Sequence, residues 1–346
     1  MAFLMVGPIL TIGITSFERP ASLLRAIYSV VEQVEVSRNE VEVIVVDDAS
    51  ASSDVISVLK SIDGGTSSGF VSLRVIRHET GSGGPSQGRN DIIENAAGRY
   101  VFFLDDDNYF AAGSLRYLCD YARSSSADWI SLRRRRNGRS YFRSPAGVHE
   151  GLNREQALWT FLIAGAFRRS WLIDSGLRFD PEVAYGEDNE FVLELVCRSS
   201  SFSALCDRDY VIESDPGKGE NPHISHLANG AGFVSTLVEH VRRLTNVIVR
   251  CTDIADERTD LSKLVLKRSL NSYKLDRKIS ALEDLERAHE FLLDWRSIIL
   301  RVLSRDDVLS LVGGTVKREA LEAILCADIE GLKASVSSSY DSASRS

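Results

Sequence analysis

Three consecutive carboxylates, Asp105, Asp106 and Asp107, follow directly after an apolar run near the end of the first third of the chain. The run, residues 100–104, predicts a strand that is buried on both faces of a parallel sheet. Adjacent ionised carboxylates repel one another, so their presence at a strand end favours a bound cation. Mg²⁺ and Mn²⁺ take oxygen ligands of this kind and often share them with a substrate diphosphate. The alternative is a solvated acidic turn that caps the helix after it.

The elements that would position these carboxylates alternate between strand and helix patterns. Strands are predicted at 9–15, 41–46, 71–77 and 100–104, and helices from Pro20, at 54–61 and at 91–97, with a glycine-rich loop at 81–89. Repeated strand–helix–strand units predict an α/β fold with a doubly wound sheet and right-handed crossovers. Asp47 and Asp48 end the second strand. Because ligands bind beyond the carboxyl ends of such strands, these residues and the acidic triplet point to one cleft.

The second half of the chain has a different texture. An Asn137-Gly138 dipeptide between two short strand patterns predicts a hairpin, and the hairpin is rich in arginine. A helix is predicted from about Asp188, and the sequence is helical throughout from Phe233. We therefore predict a catalytic domain at 1–232, a helical region at 233–334 and a serine-rich disordered tail at 335–346.

Composition narrows the class of protein. The chain has 346 residues, 44% of them hydrophobic and 26% charged, which is ordinary for a globular protein. A formal net charge of −8 argues against a nucleic-acid partner. Five cysteines without a C-x-x-C pair favour reduced thiols and a cytoplasmic location. No apolar run is long enough to span a bilayer, and the apolar N-terminus lacks the basic residues of a signal peptide. The C-terminal helices could form a homo-oligomer interface.

Five short motifs together resemble a known family. They are Ile12-Gly-Ile-Thr-Ser-Phe-Glu-Arg-Pro20, Val45-Val-Asp-Asp-Ala-Ser50, Gly88-Arg-Asn90, Gly98-Arg-Tyr-Val-Phe-Phe-Leu-Asp-Asp-Asp107 and Gly186-Glu-Asp188. Their order and spacing are similar to those of family 2 glycosyltransferases of the GT-A fold, over roughly residues 9 to 230. The resemblance implies a mixed α/β sheet, a UDP-sugar donor, Mn²⁺ or Mg²⁺, and inversion of the anomeric centre.

The resemblance also implies roles for residues that would hold the nucleotide. Thr15 and Phe17 match positions that hold the base and ribose, with Arg19 beside them at the substrate. The family usually has Tyr-Asn where this chain has Phe17-Glu18, so the tyrosine hydroxyl is missing, but stacking on Phe17 could survive. Asp48 matches the carboxylate that accepts from the uracil ring N–H, or it merely caps a turn. Arg89 matches an arginine near the base and phosphates, where its fork of donors suits phosphate oxygens. Its alternative is a surface arginine on a loop.

Around the reacting sugar, the resemblance implies that Asp107 binds the metal while Asp105 and Asp106 hold metal-bound water or sugar hydroxyls. Asp188 would be the base that takes the acceptor proton, with Glu187 supporting the sugar or acceptor. The alternative for this pair is a plain helix cap. Related enzymes often complete the metal shell with a later histidine, for which His226 is preferred over His223.

The basic hairpin leaves two interpretations open. Its arginines are Arg133, Arg134, Arg135, Arg136, Arg139 and Arg143. They would suit a phosphate-bearing acceptor, such as a teichoic acid or a lipid-linked glycan, with Arg139 at the substrate. They would equally suit a charged sheet edge that resists pairing with another chain. The hairpin and the helical C-terminus look like those of wall-teichoic-acid N-acetylglucosaminyltransferases.

The sequence therefore predicts an inverting, metal-dependent glycosyltransferase that moves N-acetylglucosamine or a hexose from a UDP-sugar to a hydroxyl group on a glycan, polymer or small molecule. A nucleotidyltransferase is an alternative, but residues 15–20 contain no glycine for a phosphate loop after the first strand. A binding subunit that has lost catalysis is a second alternative, and the intact set of carboxylates argues against it.

Overall fold

The structure is a computed structural model that describes residues 7–33, 40–62, 72–141, 145–158, 163–215, 220, 231–271, 274–313 and 318–343. The chain divides into two compact units, residues 1–223 and 224–346. This division falls nine residues before the boundary predicted at 232.

The first unit is built on two sheets. In its described residues the larger sheet has eight strands, in the order β3-β2-β1-β4-β10-β6-β11-β9, and the smaller has four, in the order β5-β12-β7-β8. The strands are β1 Leu10–Ser16, β2 Val41–Asp47, β3 Ser72–Arg77, β4 Tyr100–Asp105, β5 Tyr109–Phe110, β6 Trp129–Leu132, β7 Arg134–Arg136, β8 Arg139–Tyr141, β9 Val148–Glu150, β10 Gly165–Arg168, β11 Phe202–Leu205 and β12 Val211–Glu213. The helices are α1 Pro20–Val31, α2 Ser53–Ile62, α3 Pro85–Asn95, α4 Ser114–Ser124, α5 Arg154–Ala157, α6 Arg169–Ser175 and α7 Glu187–Arg198.

The half of the large sheet formed by β1 to β4 is parallel and mostly buried. β1 pairs in parallel with both β2 and β4, and β2 pairs in parallel with β3. Their apolar residues form one core with α1 and α4, which is why these strands read as continuous hydrophobic runs. The far half is mixed, because β10 runs antiparallel to β4 and β6, whereas β11 runs parallel to β6. The predicted α/β fold with a doubly wound mixed sheet is confirmed.

Helix α3 differs from the prediction in a way that matters for the site. The sequence placed residues 81–89 in a loop, but the helix begins at Pro85, in the first turn where proline is well tolerated. Two glycines let this helix lie close to the sheet: a Cβ on Gly13 would lie 2.4 Å from Ile92, and one on Gly88 would lie 2.9 Å from Thr15. Arg89 is therefore a buried helix residue rather than a loop residue.

The predicted hairpin is β7–β8. Arg136 pairs with Arg139, so Asn137 and Gly138 form a two-residue turn. Both have positive φ, 50° and 73°, as a hairpin turn of the I′ type requires. The hairpin belongs to the smaller sheet, because β7 also pairs in parallel with β12.

The second unit is helical in its described residues, as predicted. Its helices are α8 Ala231–Cys251, α9 Ala255–Asn271, α10 Leu275–Ser280, α11 Leu285–Leu300, α12 Arg305–Leu309, α13 Arg318–Cys326 and α14 Ile329–Ala343. The apolar face of α8 is buried and includes Leu237, Val241, Leu244 and Ile248; Trp295 and Ile299 of α11 are buried as well. Helix α14 extends to Ala343 and so continues into the segment for which disorder is predicted from Ser335, and Ser335 itself is buried. None of the described helices has an apolar stretch long enough to cross a bilayer.

Candidate active site

The carboxyl ends of three neighbouring strands bring the predicted site residues to one edge of the large sheet. In the strand register Thr15 lies opposite Asp105, and Ser16 lies opposite Asp47. β1 is therefore flanked by an acidic strand end on each side. The common edge that the sequence predicted follows from this parallel register.

Arg19 lies between two of the three carboxylates at the end of β4. Its Nη1 donates to Asp106 Oδ1 at 2.9 Å and to Asp107 Oδ2 at 3.0 Å. The side chains of Asp106 and Asp107 are only 4% and 2% exposed. Arg25 adds a second positive charge, since its Nη2 donates to the Asp107 carbonyl oxygen at 2.7 Å. The acidic strand end is thus partly neutralised by two arginines of α1 and its N-cap.

Burial controls the protonation of these carboxylates. It raises the pKa of Asp106 to about 6, against the opposing charge of Arg19. Burial and the charges of Asp105 and Asp106 raise the pKa of Asp107 to about 8, although Arg19 and Arg25 act in the other direction. In such surroundings the ionised form of the carboxylate is stabilised when a further cation approaches it.

The donor set suits a hard divalent cation, but it does not complete a metal site. Among the described residues, no three His, Cys, Asp or Glu side chains come together in a group that could hold a metal ion. His226 and its alternative His223 lie outside the described residues. The mutually repelling oxygens of the acidic triplet, of which those of Asp106 and Asp107 are buried, fit Mg²⁺ or Mn²⁺ only if a substrate diphosphate supplies further ligands.

Arg89 connects the end of β4 to the start of α7. Its Nη2 donates to Asp105 Oδ1 at 2.9 Å, and its Nη1 donates to Glu187 Oε1 at 2.7 Å. The guanidinium also lies over the Phe179 ring, 5.3 Å from the centroid. The side chain is 5% exposed, and despite burial the charges of Asp105, Glu187 and Asp188 raise its pKa. The buried guanidinium therefore interacts with three carboxylates, two of them through hydrogen bonds.

Asp188 lies at the N-terminus of α7, after Gly186, which takes φ of 80° as the N-cap. Its Oδ1 accepts a hydrogen bond from the backbone N–H of Asn189 at 2.8 Å. Burial, followed by the charge of Glu187, raises the pKa of Asp188 to about 7, although Arg89 opposes this. Part of its surface remains accessible. A carboxylate with these properties can accept a proton near neutral pH.

Asp47 and Asp48 have different roles. Asp47 is fully buried and caps the following turn, because its Oδ2 accepts from the Ser50 N–H at 3.2 Å. Asp48 instead accepts from Ser82 N at 2.9 and 3.0 Å and contacts His78 Nδ1 at 2.8 Å. The turn-capping alternative therefore describes Asp47 and not Asp48.

The remaining predicted residues lie around this edge or away from it. Thr15 is the second-to-last residue of β1 and lies next to Asp105, and Phe17 is 47% exposed just after the strand. Arg139 is exposed on β8, and the order of the small sheet separates it from β5, which follows the acidic triplet, by three strand spacings, or about 14 Å. No described contact joins Arg139 to the carboxylates.

Acidic residues neutralise part of the hairpin, which sequence analysis missed. Arg133 and Arg135 contact Asp209 at 2.9 and 3.8 Å. Arg134 pairs with Glu213, and Arg136 pairs with Asp215 at 2.8 Å. These partners lie on or near β12, 73 or more positions away in the chain, and no local pattern links them to the hairpin.

His78 was also missed, although a signal was available. It follows Arg77, which pairs with Asp47 in the strand register, so a titratable residue at this position must lie next to Asp48. Reading the residue just beyond each parallel strand would have found it.

Comparison with known proteins identifies the family. Residues 11–175 match the family model described as glycosyl transferase family 2. The match runs from β1 to the end of α6 and so includes the acidic ends of β2 and β4. The chain carries a glycosyltransferase domain of family 2, and the resemblance inferred from the motifs is confirmed. The nucleotidyltransferase alternative is thereby excluded for this domain.

Two relatives with named activities are similar to part of this chain. The chain is 28% identical over 193 residues to poly(ribitol-phosphate) beta-N-acetylglucosaminyltransferase TarS of Staphylococcus aureus. The aligned region covers 54% of this chain and 32% of the relative. It is 26% identical over 183 residues to poly(ribitol-phosphate) beta-glucosyltransferase of Bacillus spizizenii, covering 50% of this chain and 27% of the relative. The chain thus spans about a third or less of these relatives.

A solved structure shows the same fold over nearly the whole chain. The crystal structure of S. aureus TarS residues 1–349 in complex with UDP-GlcNAc superposes with a TM-score of 0.77 at 21% identity. The superposition covers 95% of this chain and 92% of that one. The GT-A fold is therefore established for this protein.

Proposed function

We propose that this protein transfers a sugar, N-acetylglucosamine or a hexose, from a UDP-sugar to a hydroxyl group of a phosphate-containing polyol polymer, with inversion at the anomeric carbon. The poly(ribitol-phosphate) acceptors named for two relatives, and the UDP-GlcNAc bound to a structural neighbour, support these classes of acceptor and donor. A cytoplasmic location and a homo-oligomer stay predictions.

One observation carries this proposal: Arg89 joins Asp105, at the strand end where a nucleotide would bind, to Glu187, which precedes Asp188. Inversion by single displacement needs a base on one side of the sugar and a stabilised leaving group on the other. The buried arginine thus links the groups that these two roles would need, Asp105 on the leaving-group side and Asp188 as the base, although they lie 83 positions apart in the chain.

The reaction would proceed in one displacement. Asp188 takes the proton of the acceptor hydroxyl while the oxygen of that hydroxyl forms a bond to the anomeric carbon. The bond from that carbon to the β-phosphate oxygen breaks, and UDP leaves with the electron pair. The raised pKa of Asp188 makes it a stronger proton acceptor than an ordinary carboxylate, while it stays partly ionised at neutral pH.

At the leaving group, Asp107 would hold a divalent cation together with the diphosphate, and the cation would stabilise the charge of the departing UDP. Asp105 and Asp106 would orient metal-bound water or hydroxyls of the ribose and sugar. Arg19 already contacts both Asp106 and Asp107, so it would keep these side chains in place before substrate arrives.

The test is transfer from UDP-GlcNAc or UDP-glucose to a synthetic ribitol-phosphate oligomer, followed by UDP release and by mass spectrometry of the oligomer. The wild-type chain should add sugar residues, and NMR of the product should show the β anomer. Asp188→Asn should lower the rate at least a hundredfold, while Glu182→Gln, a matched change at an exposed carboxylate just before α7, should not.

Two outcomes would reject the proposal. If the wild-type chain transfers no sugar to any polyol phosphate, the acceptor class is wrong. If Asp188→Asn binds UDP-sugar and turns it over like the wild type, then Asp188 is not the base. UDP binding without turnover by the wild-type chain would instead support the inactive binding subunit.

A further inference from the structure

His78 lies between two carboxylates at the nucleotide edge of the sheet. It directly follows β3, its Nδ1 lies 2.8 Å from Asp48 Oδ1, and its Nε2 lies 2.6 Å from Asp91 Oδ2. Its side chain is 15% exposed, and those of Asp48 and Asp91 are 18% and 20% exposed. The three side chains form a carboxylate–imidazole–carboxylate chain that is mostly shielded from water.

Only the imidazolium form can donate at both ends of this chain. In the neutral ring one nitrogen presents a lone pair, which would face a carboxylate oxygen. Burial lowers the pKa of His78, but the hydrogen bonds and charges of Asp48 and Asp91 outweigh burial and raise it above the ordinary value. The geometry therefore describes a protonated histidine held between two anions.

Charged groups from β2 and α3 face His78. Asp48 comes from the end of β2, and Asp91 comes from α3, where Gln87 Nε2 donates to its other oxygen at 2.9 Å. Arg77, next to His78, contacts Asp47 Oδ2 at 3.2 Å. The chain from Gln87 to Asp48 thus has a defined order of donors and acceptors.

The hydrogen bonds of Asp48 leave one of its oxygens as the better acceptor for a ligand. Oδ1 accepts from His78 at 2.8 Å and from the Ser82 N–H at 2.9 Å, whereas Oδ2 accepts from the same Ser82 N–H at 3.0 Å and has no contact with His78 among the described hydrogen bonds. Gly81 lies next to Oδ2, and a Cβ there would be 3.8 Å away, so this side of the carboxylate is bordered by a residue without a side chain. A ring N–H can therefore approach Oδ2.

We propose that His78 is a positioning residue that fixes the rotation of Asp48 and holds it as an anion, so that the site selects a base with a ring N–H, such as uracil, over one with an unprotonated ring nitrogen, such as cytosine. Uracil presents N3–H, which donates to a carboxylate. Cytosine presents an N3 lone pair, which a carboxylate repels and to which a protonated carboxyl group would donate its O–H. This inference rests on the proposed function, since it takes Asp48 as the group that reads the base.

The protonation of Asp48 points the same way. Burial opposes ionisation, but the hydrogen bonds from His78 and Ser82 lower the pKa of Asp48 below its usual value. Loss of the positive charge of His78 would therefore let Asp48 protonate at a higher pH, and discrimination against cytosine would weaken first in acid.

The test is isothermal titration of the full chain with UDP and with CDP at pH 5.5, 7.0 and 8.5. His78→Leu should bind UDP about tenfold more weakly at pH 7.0, and the ratio of UDP to CDP affinity should fall most at pH 5.5. The difference from the wild type should narrow as the pH rises, because deprotonation of the wild-type imidazole removes the charge that the variant lacks. His78→Asn keeps a neutral N–H donor toward Asp48 and should recover UDP affinity to within about threefold, without recovering the ratio at pH 5.5.

Comparison with Asp48→Asn separates failure of this inference from failure of the proposed function. If Asp48→Asn loses preference for UDP while both His78 variants keep the wild-type ratio at every pH, the inference is wrong and the proposed function stands. If wild type binds neither nucleotide, or Asp48→Asn binds both as wild type does, then the proposed nucleotide site and this inference fail together. Thermal unfolding of each variant ensures that a loss of affinity is not a loss of folding, and His78→Asn remains informative if His78→Leu does not fold.

Discussion

Arg89 on α3 donates a hydrogen bond to Glu187 on α7 across 2.7 Å, although the two residues are 98 positions apart in the chain. The same guanidinium contacts Asp105 at the end of β4. The Arg89 side chain thus links the end of β4 to the N-terminus of α7, and its own helix, α3, packs closely on β1.

We expect Arg89→Met to lower sugar transfer at least a hundredfold and to destabilise the first unit by about 3 kcal/mol, because it leaves Glu187 and Asp105 without their shared cation. Asp105 is 42% exposed and can be partly hydrated, so the loss should come mainly from Glu187, which is 11% exposed. Urea unfolding and transfer rates measure the two effects.

Arg89→Lys is the matched control. It keeps the charge, but an ammonium group cannot reach two carboxylates with the fixed fork of a guanidinium. Stability should recover in part while transfer remains slow. Full activity in Arg89→Lys would show that charge alone matters and that the two-sided contact does not position the site.

The rate of transfer should depend on the ionisation of Asp188. Because burial and Glu187 raise its pKa to about 7, kcat/KM should fall as the pH drops through that value. A pH–rate profile from 5 to 9 measures this, and a rate that is constant from pH 5.5 to 8 would contradict the role of Asp188 as base.

The same raised pKa predicts a gain of stability when Asp188 is replaced by asparagine. A carboxyl group whose pKa is higher in the folded than in the unfolded state binds its proton more tightly in the folded state. Its ionisation therefore lowers the stability of the folded state as the pH rises from about 4 to about 7. Asp188→Asn should thus be more stable than wild type at pH 8, by on the order of 1–2 kcal/mol, and equally stable at pH 4. Equal stability at both pH values would mean that the carboxylate is well solvated.

The sequence predicts features of this protein that depend on neighbouring residues in the chain. The β4 strand and the acidic triplet after it, the Asn137-Gly138 turn and the helix beginning near Asp188 were all visible as local patterns. The pairs that join distant segments were not. Arg89 was assigned to a loop because the glycines before it outweighed Pro85, and its partners at 105 and 187 could not be read from spacing.

The basic hairpin shows the same limit. Its arginines gave a strong positive signal, but Asp209 and the acidic residues of β12 that pair with them are brought there by a parallel strand pairing. The sign of a local charge cluster is therefore a poor guide to the field around it until the neighbouring strand is known. Arg139, for which no described ion pair is seen, remains the best candidate for an acceptor contact.

The acceptor prediction concerns the exposed arginines of this hairpin. We expect Arg135→Gln/Arg139→Gln to raise the KM for a ribitol-phosphate oligomer by about three- to tenfold at low salt, because surface charges attract a polyanion over about 10 Å at 0.1 M ionic strength. The KM for the UDP-sugar should not change. Arg305→Gln/Arg318→Gln, which changes two exposed arginines of the second unit, is the charge-matched control. An effect that persists undiminished in 1 M salt would point to a structural defect.

The last prediction concerns the metal. Asp107→Asn replaces a buried ionisable carboxyl group, whose pKa burial and its acidic neighbours raise to about 8, by a neutral amide of the same shape. The folded protein should therefore keep or gain stability, while the affinity for UDP in the presence of Mn²⁺ should fall at least tenfold to the value measured with EDTA, since the diphosphate and Asp107 would share the cation. Glu94→Gln, an exposed carboxylate on α3, should leave the Mn²⁺ effect intact. Titration calorimetry with and without Mn²⁺ measures both variants. If Asp107→Asn responds to Mn²⁺ as the wild type does, the cation is not held by the acidic end of β4, and the two arginines that already contact this strand end would have to stabilise the leaving diphosphate by themselves.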